Sequence, residues 1–521
     1  MIFEKPSFKQ FICSFFVFAI AFALRFYQLM NYLEWFSPRY SIDFFTSLHI
    51  DRLDESYHRW FIDVLTLKNN FYYTDFKPIS NLAIVWLPGF QYASLFLMWL
   101  LNNESILVPR IFNLFVGSST CVVVYAVCLL LYENRTWPAL IGGLILAFQP
   151  WHIDYSINGT SEVFLGFFIM LSVYFFLQNK TNIFSISSFL TMLIDYSGWI
   201  IIAFLILVGV YHKKWKPISK PLLAFLSVLT IWLLWSFMDS GSPIAWLTSY
   251  AFSIGWRLKL DLSVLPFYFL VALSMTTLLF YLGLFFGFLH SWKTRIFSAL
   301  IVGYTVIYSL AHALGLDLGS ISRLIPIMPI LALTIPPALP RFSGSLRKKA
   351  LISVALLLLL FIPYSFQVYI GPAKSYIIMP EYRAGLKLKE FYSGGRILCD
   401  SPAIAYHSGL NPNSFLSFEN LFWYDKNKNQ EELRLWLKEN DVTMLVWHNV
   451  TFSLAPKLFP ELGEVLGKEL ELGKEEVKYY DGIKLILLYE DSKRTWKVPE
   501  LGHWEHAYDA PDVLIYKIEY L

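Results

Sequence analysis

Leu82-Ala83-Ile84-Val85-Trp86-Leu87-Pro88-Gly89-Phe90-Gln91-Tyr92-Ala93-Ser94-Leu95-Phe96-Leu97-Met98-Trp99-Leu100-Leu101 is the stretch on which the topology of this chain turns. It is apolar enough to pass for a membrane span, yet Pro88 sits in its first half. Proline has no N–H to donate inside a helix and is best accommodated in a first helical turn. A helix from Pro88 to Leu101 would measure about 21 Å at ~1.5 Å per residue. The hydrocarbon core is about 30 Å thick. The segment therefore reads as a helix lying in the membrane interface, not crossing it.

Charge on the flanking connections supports that reading. Apolar runs occupy roughly 11–29, 106–131, 137–151, 161–178, 183–194, 196–211, 221–238, 264–290, 296–314, 323–340 and 350–371. With 82–101 in the interface, Lys5, Lys9, Arg135, Lys180, Lys213, Lys214, Lys216, Lys220, Lys293, Arg295, Arg341, Arg347, Lys348 and Lys349 all face one side. The opposite connections beyond residue 132 carry Arg257 and Lys259, with Arg323 at a boundary. A crossing would invert everything downstream and break the positive-inside rule. Keeping Lys180 and Lys213 together also makes 183–211 a hairpin turning at Asp195–Tyr196. The sequence thus predicts a polytopic α-helical membrane protein of about eleven transmembrane helices. Its N-terminus is cytoplasmic, and the first span is retained because no small-residue cleavage site comes after it.

Composition agrees. Of 521 residues 56% are hydrophobic, 18% aromatic and only 16% charged, against about 25% charged in soluble domains. A net charge of +3 is too small to argue for nucleic acid, and no nucleic-acid partner is expected. Cys13, Cys121 and Cys128 lie in apolar runs and Cys399 stands alone, so no disulfide framework is expected. From about residue 374 the chain turns charged and mixed. Arg396–Cys399, Val442–Trp447, Ile483–Tyr489 and Val513–Ile518 read as strands and Gln430–Asn440 as a helix. The chain thus divides into two domains: 1–373 in the membrane, and a small α/β domain, 374–521, outside the cytoplasm.

On this topology the loop 30–80 is external. It contains Asp51, Asp54, Glu55 and His58, which share one face if the stretch is helical. Left alone, such a face is simply solvated, with Glu55–Arg59 as an i, i+4 ion pair. Carboxylates beside a bilayer are costly, however, and tend to be functional. One of them can serve as general base for a hydroxyl acceptor. Other polar groups map to the same side: His152 in a stretch beside an external turn, Glu162 opening a span, Asp195, Arg257, Lys259, His312 and Arg323. Glu162 suits a helix N-terminus. Arg323 suits either snorkelling or the grip of a phosphate. The chain has no Gly-rich phosphate loop, no CxxC pattern and no HExxH.

The order of these features resembles the GT-C class of polytopic glycosyltransferases, most closely the branch of protein O-mannosyltransferases and the lipid A aminoarabinose transferase. Asp54–Glu55 with Tyr57–His58 matches the acidic pair of the first external loop, and Leu87-Pro88-Gly89-Phe90-Gln91-Tyr92 the start of the second interfacial helix. Arg110 and Tyr125 fit the next span. Glu162 stands where the family carries an acid, usually aspartate, and Arg323-Leu324-Ile325-Pro326-Ile327-Met328-Pro329 resembles a late span with arginine and two prolines. The likeness covers roughly 1–340.

The resemblance implies transfer of a sugar, mannose being the one expected, from a polyprenyl or dolichyl phosphate to a hydroxyl acceptor on a glycan, protein or lipid. It implies inversion, with Asp54 as base and Glu55 in support. Of the polar residues on the external side, Asp51, His58, His152, Glu162, Arg257, His312 and Arg323 are the ones expected to bind substrate, His58, Glu162 and Arg323 among them lying in the motifs that carry the resemblance. No obligatory metal is implied, although Asp51, Asp54 and Glu162 could hold one. The expected location is the plasma membrane of a prokaryote or archaeon, among membrane lipids. Two alternatives stand beside it. An oligosaccharyltransferase carries Trp-Trp-Asp-Tyr-Gly, where this chain has only Phe422-Trp423-Tyr424-Asp425-Lys426. A transporter or flippase for lipid-linked substrates predicts internal repeats, and none is visible.

Overall fold

The computed structural model describes residues 7–34, 87, 89–212, 215–240, 243, 262–276, 279–314, 321–336, 379–399, 401–416, 430–448, 477–480, 482–491 and 513–521. These fall into two compact units, one helical and one α/β.

The helical unit comprises α1 (Phe8–Glu34), α2 (Gly89–Leu101), α3 (Leu107–Leu131), α4 (Thr136–Ala147), α5 (Pro150–Asn158), α6 (Ser161–Leu177), α7 (Thr181–Ile194), α8 (Tyr196–Tyr211), α9 (Trp215–Ser240), α10 (Phe267–Thr276), α11 (Leu279–His290), α12 (Trp292–Ala313) and α13 (Met328–Thr334). A 3₁₀ helix, Ile321–Ile327, leads into α13. Within α1, α3, α9 and α12 are segments that are individually long and apolar enough to cross a membrane, and α5 with α6 adds a fifth as a pair bent by 113°. The outer helices offer bare apolar surface to lipid: Phe11 and Phe15 on α1, and Ile231, Leu234 and Met238 on α9, are all exposed. Polytopic helical architecture is thus written in both the helices and their surfaces.

α3 is the hub, packing against α1, α4, α5 and α6. Small residues allow the close approach, as expected where lipid supplies no hydrophobic drive. A Cβ on Gly142 of α4 would lie 2.6 Å from Cys128 Sγ.

Four local features differ from, or sharpen, the sequence reading. α2 starts after Pro88 and is a 13-residue helix, short for a span by length alone. The 183–211 hairpin breaks at Asp195, which is extended at φ −159°, ψ 152° and caps α8 by accepting from Ser197 N at 2.7 Å. The stretch around His152, expected beside a turn, is instead the helix α5. Gln149 caps it by accepting from Trp151 N, Pro150 fills the first helical position, and Gly159 closes it at φ 74°, which favours glycine. The run at 323–340 begins as a 3₁₀ helix, because Pro326 and Pro329 each withhold an N–H from the regular ladder.

The α/β unit contains α14 (Met379–Phe391), β1 (Arg396–Cys399), α15 (Pro402–Ser408), β2 (Phe415–Leu416), α16 (Gln430–Glu439), β3 (Val442–His448), β4 (Val477–Tyr480), β5 (Ile483–Asp491) and β6 (Val513–Tyr520). The sheet order is β2-β1-β3-β6-β5-β4, parallel from β2 to β3 and antiparallel beyond. Alternation sends side chains to both faces. Leu398, Leu445, Trp447 and Tyr516 pack with Trp436 and Leu437 of α16, while Ile397, Cys399, Val446 and Ile515 pack with Ala384 and Leu388 of α14 and Ile404 of α15. Helices therefore cover both faces.

Arg383 of α14 clamps Asp491 at the end of β5 with bonds of 2.6 and 2.9 Å, and Tyr489 donates to the same carboxylate at 2.8 Å. Burial, then the bond to Asp491, pushes the Tyr489 phenol up to about 12. Asp491→Asn removes one charge from a fork that is partly solvent-screened. We expect a loss of about 1–2 kcal/mol in this unit, read as a lower midpoint for β-sheet melting by circular dichroism.

Candidate functional site

The site grows from a proline contact. Gly166 of α6 leaves room for Pro329 Cγ at 3.5 Å and Pro326 Cα at 3.8 Å from where its Cβ would be, seating the 3₁₀ helix against α6. One turn earlier on α6 stands Glu162, and three residues before Pro326 stands Arg323. The hairpin break supplies the third member. Arg323 Nη1 lies 3.8 Å from Asp195 Oδ2, with both side chains largely buried. Glu162 is within electrostatic reach of both Asp195 and Arg323, and its Oε2 is buried without a hydrogen-bond partner.

α12 forms an aromatic wall for this group. Tyr308 sits under the guanidinium, with Arg323 Cζ 5.8 Å from the ring centroid, a cation–π distance. Its hydroxyl meets Ser197 Oγ at 2.6 Å. Tyr304 OH donates to the Arg323 carbonyl at 2.7 Å, fixing the backbone that carries the arginine. His312 completes the wall, with Phe267 4.9 Å and Tyr268 6.2 Å away between ring centroids. The result is one guanidinium over the Tyr308 ring, paired with Asp195 and within electrostatic reach of Glu162. Such a fork can accept a phosphate bidentately, in exchange for its long contact to Asp195.

No protein-family model matches the chain, and no curated protein matches its sequence. Solved structures do match in shape. The aminoarabinose transferase ArnT from Cupriavidus metallidurans, bound to undecaprenyl phosphate, aligns at TM-score 0.56 and 9% identity over 89% of this chain and 93% of that one. The Archaeoglobus fulgidus oligosaccharyltransferase AglB, in complex with an inhibitory peptide and a dolichol-phosphate, aligns at TM-score 0.55 and 11% identity over 88% and 72%. Both are GT-C glycosyltransferases. The chain has the GT-C fold.

Of the residues expected at a site, Glu162, Arg323 and His312 are described together with Asp195 and the α12 wall. His152 is not part of that group: it is fully buried, and its Nδ1 accepts from Arg25 at 2.6 Å. Asp51, Asp54, Glu55, His58 and Arg257 lie outside the described residues. Among the described residues no three His, Cys, Asp or Glu side chains are grouped to hold a metal. Of Asp51, Asp54 and Glu162, only the last is described.

Sequence reasoning passed over Tyr304, Tyr308 and Arg25. Tyr304, Tyr308 and His312 recur at i, i+4 and i+8, one face of a helix. That polar stripe in an apolar span was a usable signal.

Proposed function

We propose that the chain is a membrane glycosyltransferase that moves a sugar, mannose in the sharpest form of the reading, from a polyprenyl or dolichyl phosphate to a hydroxyl acceptor. The observation that carries it is a largely buried guanidinium, Arg323, paired with Asp195 and within electrostatic reach of Glu162, in a GT-C fold. In this reading Asp54 takes the acceptor proton and Glu55 assists. The acceptor oxygen forms its bond to the anomeric carbon as the bond to the phosphate oxygen breaks, inverting the centre. The electron pair leaves on the lipid phosphate, whose charge Arg323 neutralises with help from His312 and Arg257. Glu162, with Asp51 and His58 as further candidates, holds substrate, whereas His152, buried against Arg25, does not. The helices sit in a plasma membrane with about eleven spans, the α/β unit outside the cytoplasm, and no metal is required.

The likeness to AglB favours a second reading, transfer of a lipid-linked glycan to an asparagine in a peptide. One experiment addresses both. Purified protein is incubated with a panel of polyprenyl-phosphate sugars, with or without hydroxyl or asparagine-containing acceptors. Released polyprenyl phosphate is then measured. Release that needs a hydroxyl acceptor supports the first reading, and glycosylated asparagine replaces it with the second. Failure with every donor rejects both.

A further inference from the structure

Arg25 is a fully buried guanidinium in the C-terminal half of α1, and none of its described partners is a carboxylate. Nε donates to Ser156 Oγ at 3.0 Å. Nη1 donates to the carbonyls of Ala21, at 2.9 Å, and Ala147, at 3.4 Å. Nη2 donates to His152 Nδ1 at 2.6 Å and approaches Cys121 Sγ at 3.7 Å. Arginine can only donate, so His152 accepts at Nδ1 and carries its proton on Nε2.

A charge placed here without a counter-ion is costly, and apolar replacement of buried ionic groups is often neutral or stabilising. Stability is a poor reason to keep it. What the fork does provide is fixed geometry across α1, α3, the end of α4 and α5. The surroundings are shaped for it: a Cβ on Gly117 of α3 would fall 2.2 Å from Ser156 Oγ and 3.1 Å from Arg25 Nε. One turn along α1, Gln28 Nε2 donates to Asp154 Oδ1 at 3.1 Å, a second tie to α5.

α5 acts through the turn at its C-terminal end. Its cap is Gly159, after which the chain bends by 113° into α6. Asn113 Nδ2 holds the Thr160 carbonyl at 2.5 Å, and two residues later comes Glu162. We infer that Arg25 is a positioning residue, which fixes the roll of α5 and thereby the turn that presents Glu162. The inference rests on the proposed function for the use to which Glu162 is put, but not for the mechanical coupling itself. It also gives His152 a role as a post in this joint.

The test uses the full chain in nanodiscs, comparing wild type with an apolar triple variant, Arg25→Met, His152→Phe and Ser156→Ala, and with Arg25→Lys. Amide hydrogen exchange across 159–162 reads the turn without any substrate. We expect roughly tenfold faster exchange there in the triple variant, a melting midpoint at or above wild type, and kcat lowered about tenfold with a smaller change in donor KM. Arg25→Lys, which keeps the charge but loses the fork, should shift exchange in the same direction by less. Unchanged exchange at 159–162 in both variants overturns the inference, whatever the activity. Faster exchange with kcat within twofold of wild type also overturns it, because the turn then does not matter to catalysis. Faster exchange in a protein whose wild type releases no polyprenyl phosphate from any donor keeps the joint and rejects the functional reading instead.

Discussion

Asp54→Asn is expected to abolish transfer while leaving the protein folded. The substitution preserves size and most hydrogen bonding but removes the ability to take a proton from the acceptor. General-base catalysis contributes about 10²- to 10⁴-fold, so kcat should fall by that factor, equivalent to ~3–5 kcal/mol of activation free energy. Donor KM should change little, because the lost interaction belongs to the transition state. Asp54 lies in a polar stretch, Asp51-Arg52-Leu53-Asp54-Glu55, where a neutral amide creates no cavity. The melting midpoint should therefore stay within a degree or two of wild type, while released polyprenyl phosphate falls to background. The pH profile supplies a second readout. Below the pKa of the working base, log(kcat/KM) climbs with pH in the wild type, and that limb should vanish in the variant. Glu55→Gln should cost less, about tenfold, because its role is support. Full activity in Asp54→Asn, with the rising limb intact, would transfer the role of base to another acid.

Much of the helical unit was legible because lipid exposure forces long apolar runs, and the break at Asp195 was legible because basic residues flank the hairpin on one side. The strands of the α/β unit were legible for a related reason: burial on both faces of β3 leaves an apolar stretch, Val442 to Trp447, that only a covered strand explains. Three features of the helical unit were hidden. α5 was hidden because a helix of nine residues, with a proline at its start and charged and aromatic positions inside it, has no apolar periodicity to announce it. Arg25 was hidden because one guanidinium in a 23-residue apolar segment hardly moves the hydropathy, and only the acceptors on other helices explain how it is tolerated there. The pairing of Asp195 with Arg323 was hidden because it depends on how α6 seats Pro326 and Pro329, a packing fact with no local signature. Sheet order was equally out of reach, since β1 pairs with both β2 and β3 and β6 inserts between β3 and β5.

Arg323→Gln is expected to lower kcat by about 10²- to 10³-fold, which is ~3–4 kcal/mol of transition-state stabilisation, the scale of losing one charge-stabilising donor. The variant has a second consequence that separates chemistry from folding. Without the guanidinium, Asp195 and Glu162 stand near each other at the ends of membrane helices with their described cation gone. Like charges in a low-dielectric setting repel strongly, so the single variant should also melt at lower temperature. Adding Asp195→Asn relieves the repulsion while keeping an acceptor for Ser197 N, the cap of α8. The double variant should therefore recover its midpoint without recovering turnover. Asp195→Asn alone tests the exchange from the other side. It frees Arg323 from the carboxylate that a phosphate must displace, so donor KM should fall severalfold. Arg323→Lys is not conservative here, because an ammonium can neither fork onto a phosphate nor lie flat on Tyr308; about a tenfold loss in kcat is expected, at near-normal stability. If the double variant regains both midpoint and turnover, Arg323 serves only to neutralise its neighbours, and the lipid phosphate is held elsewhere.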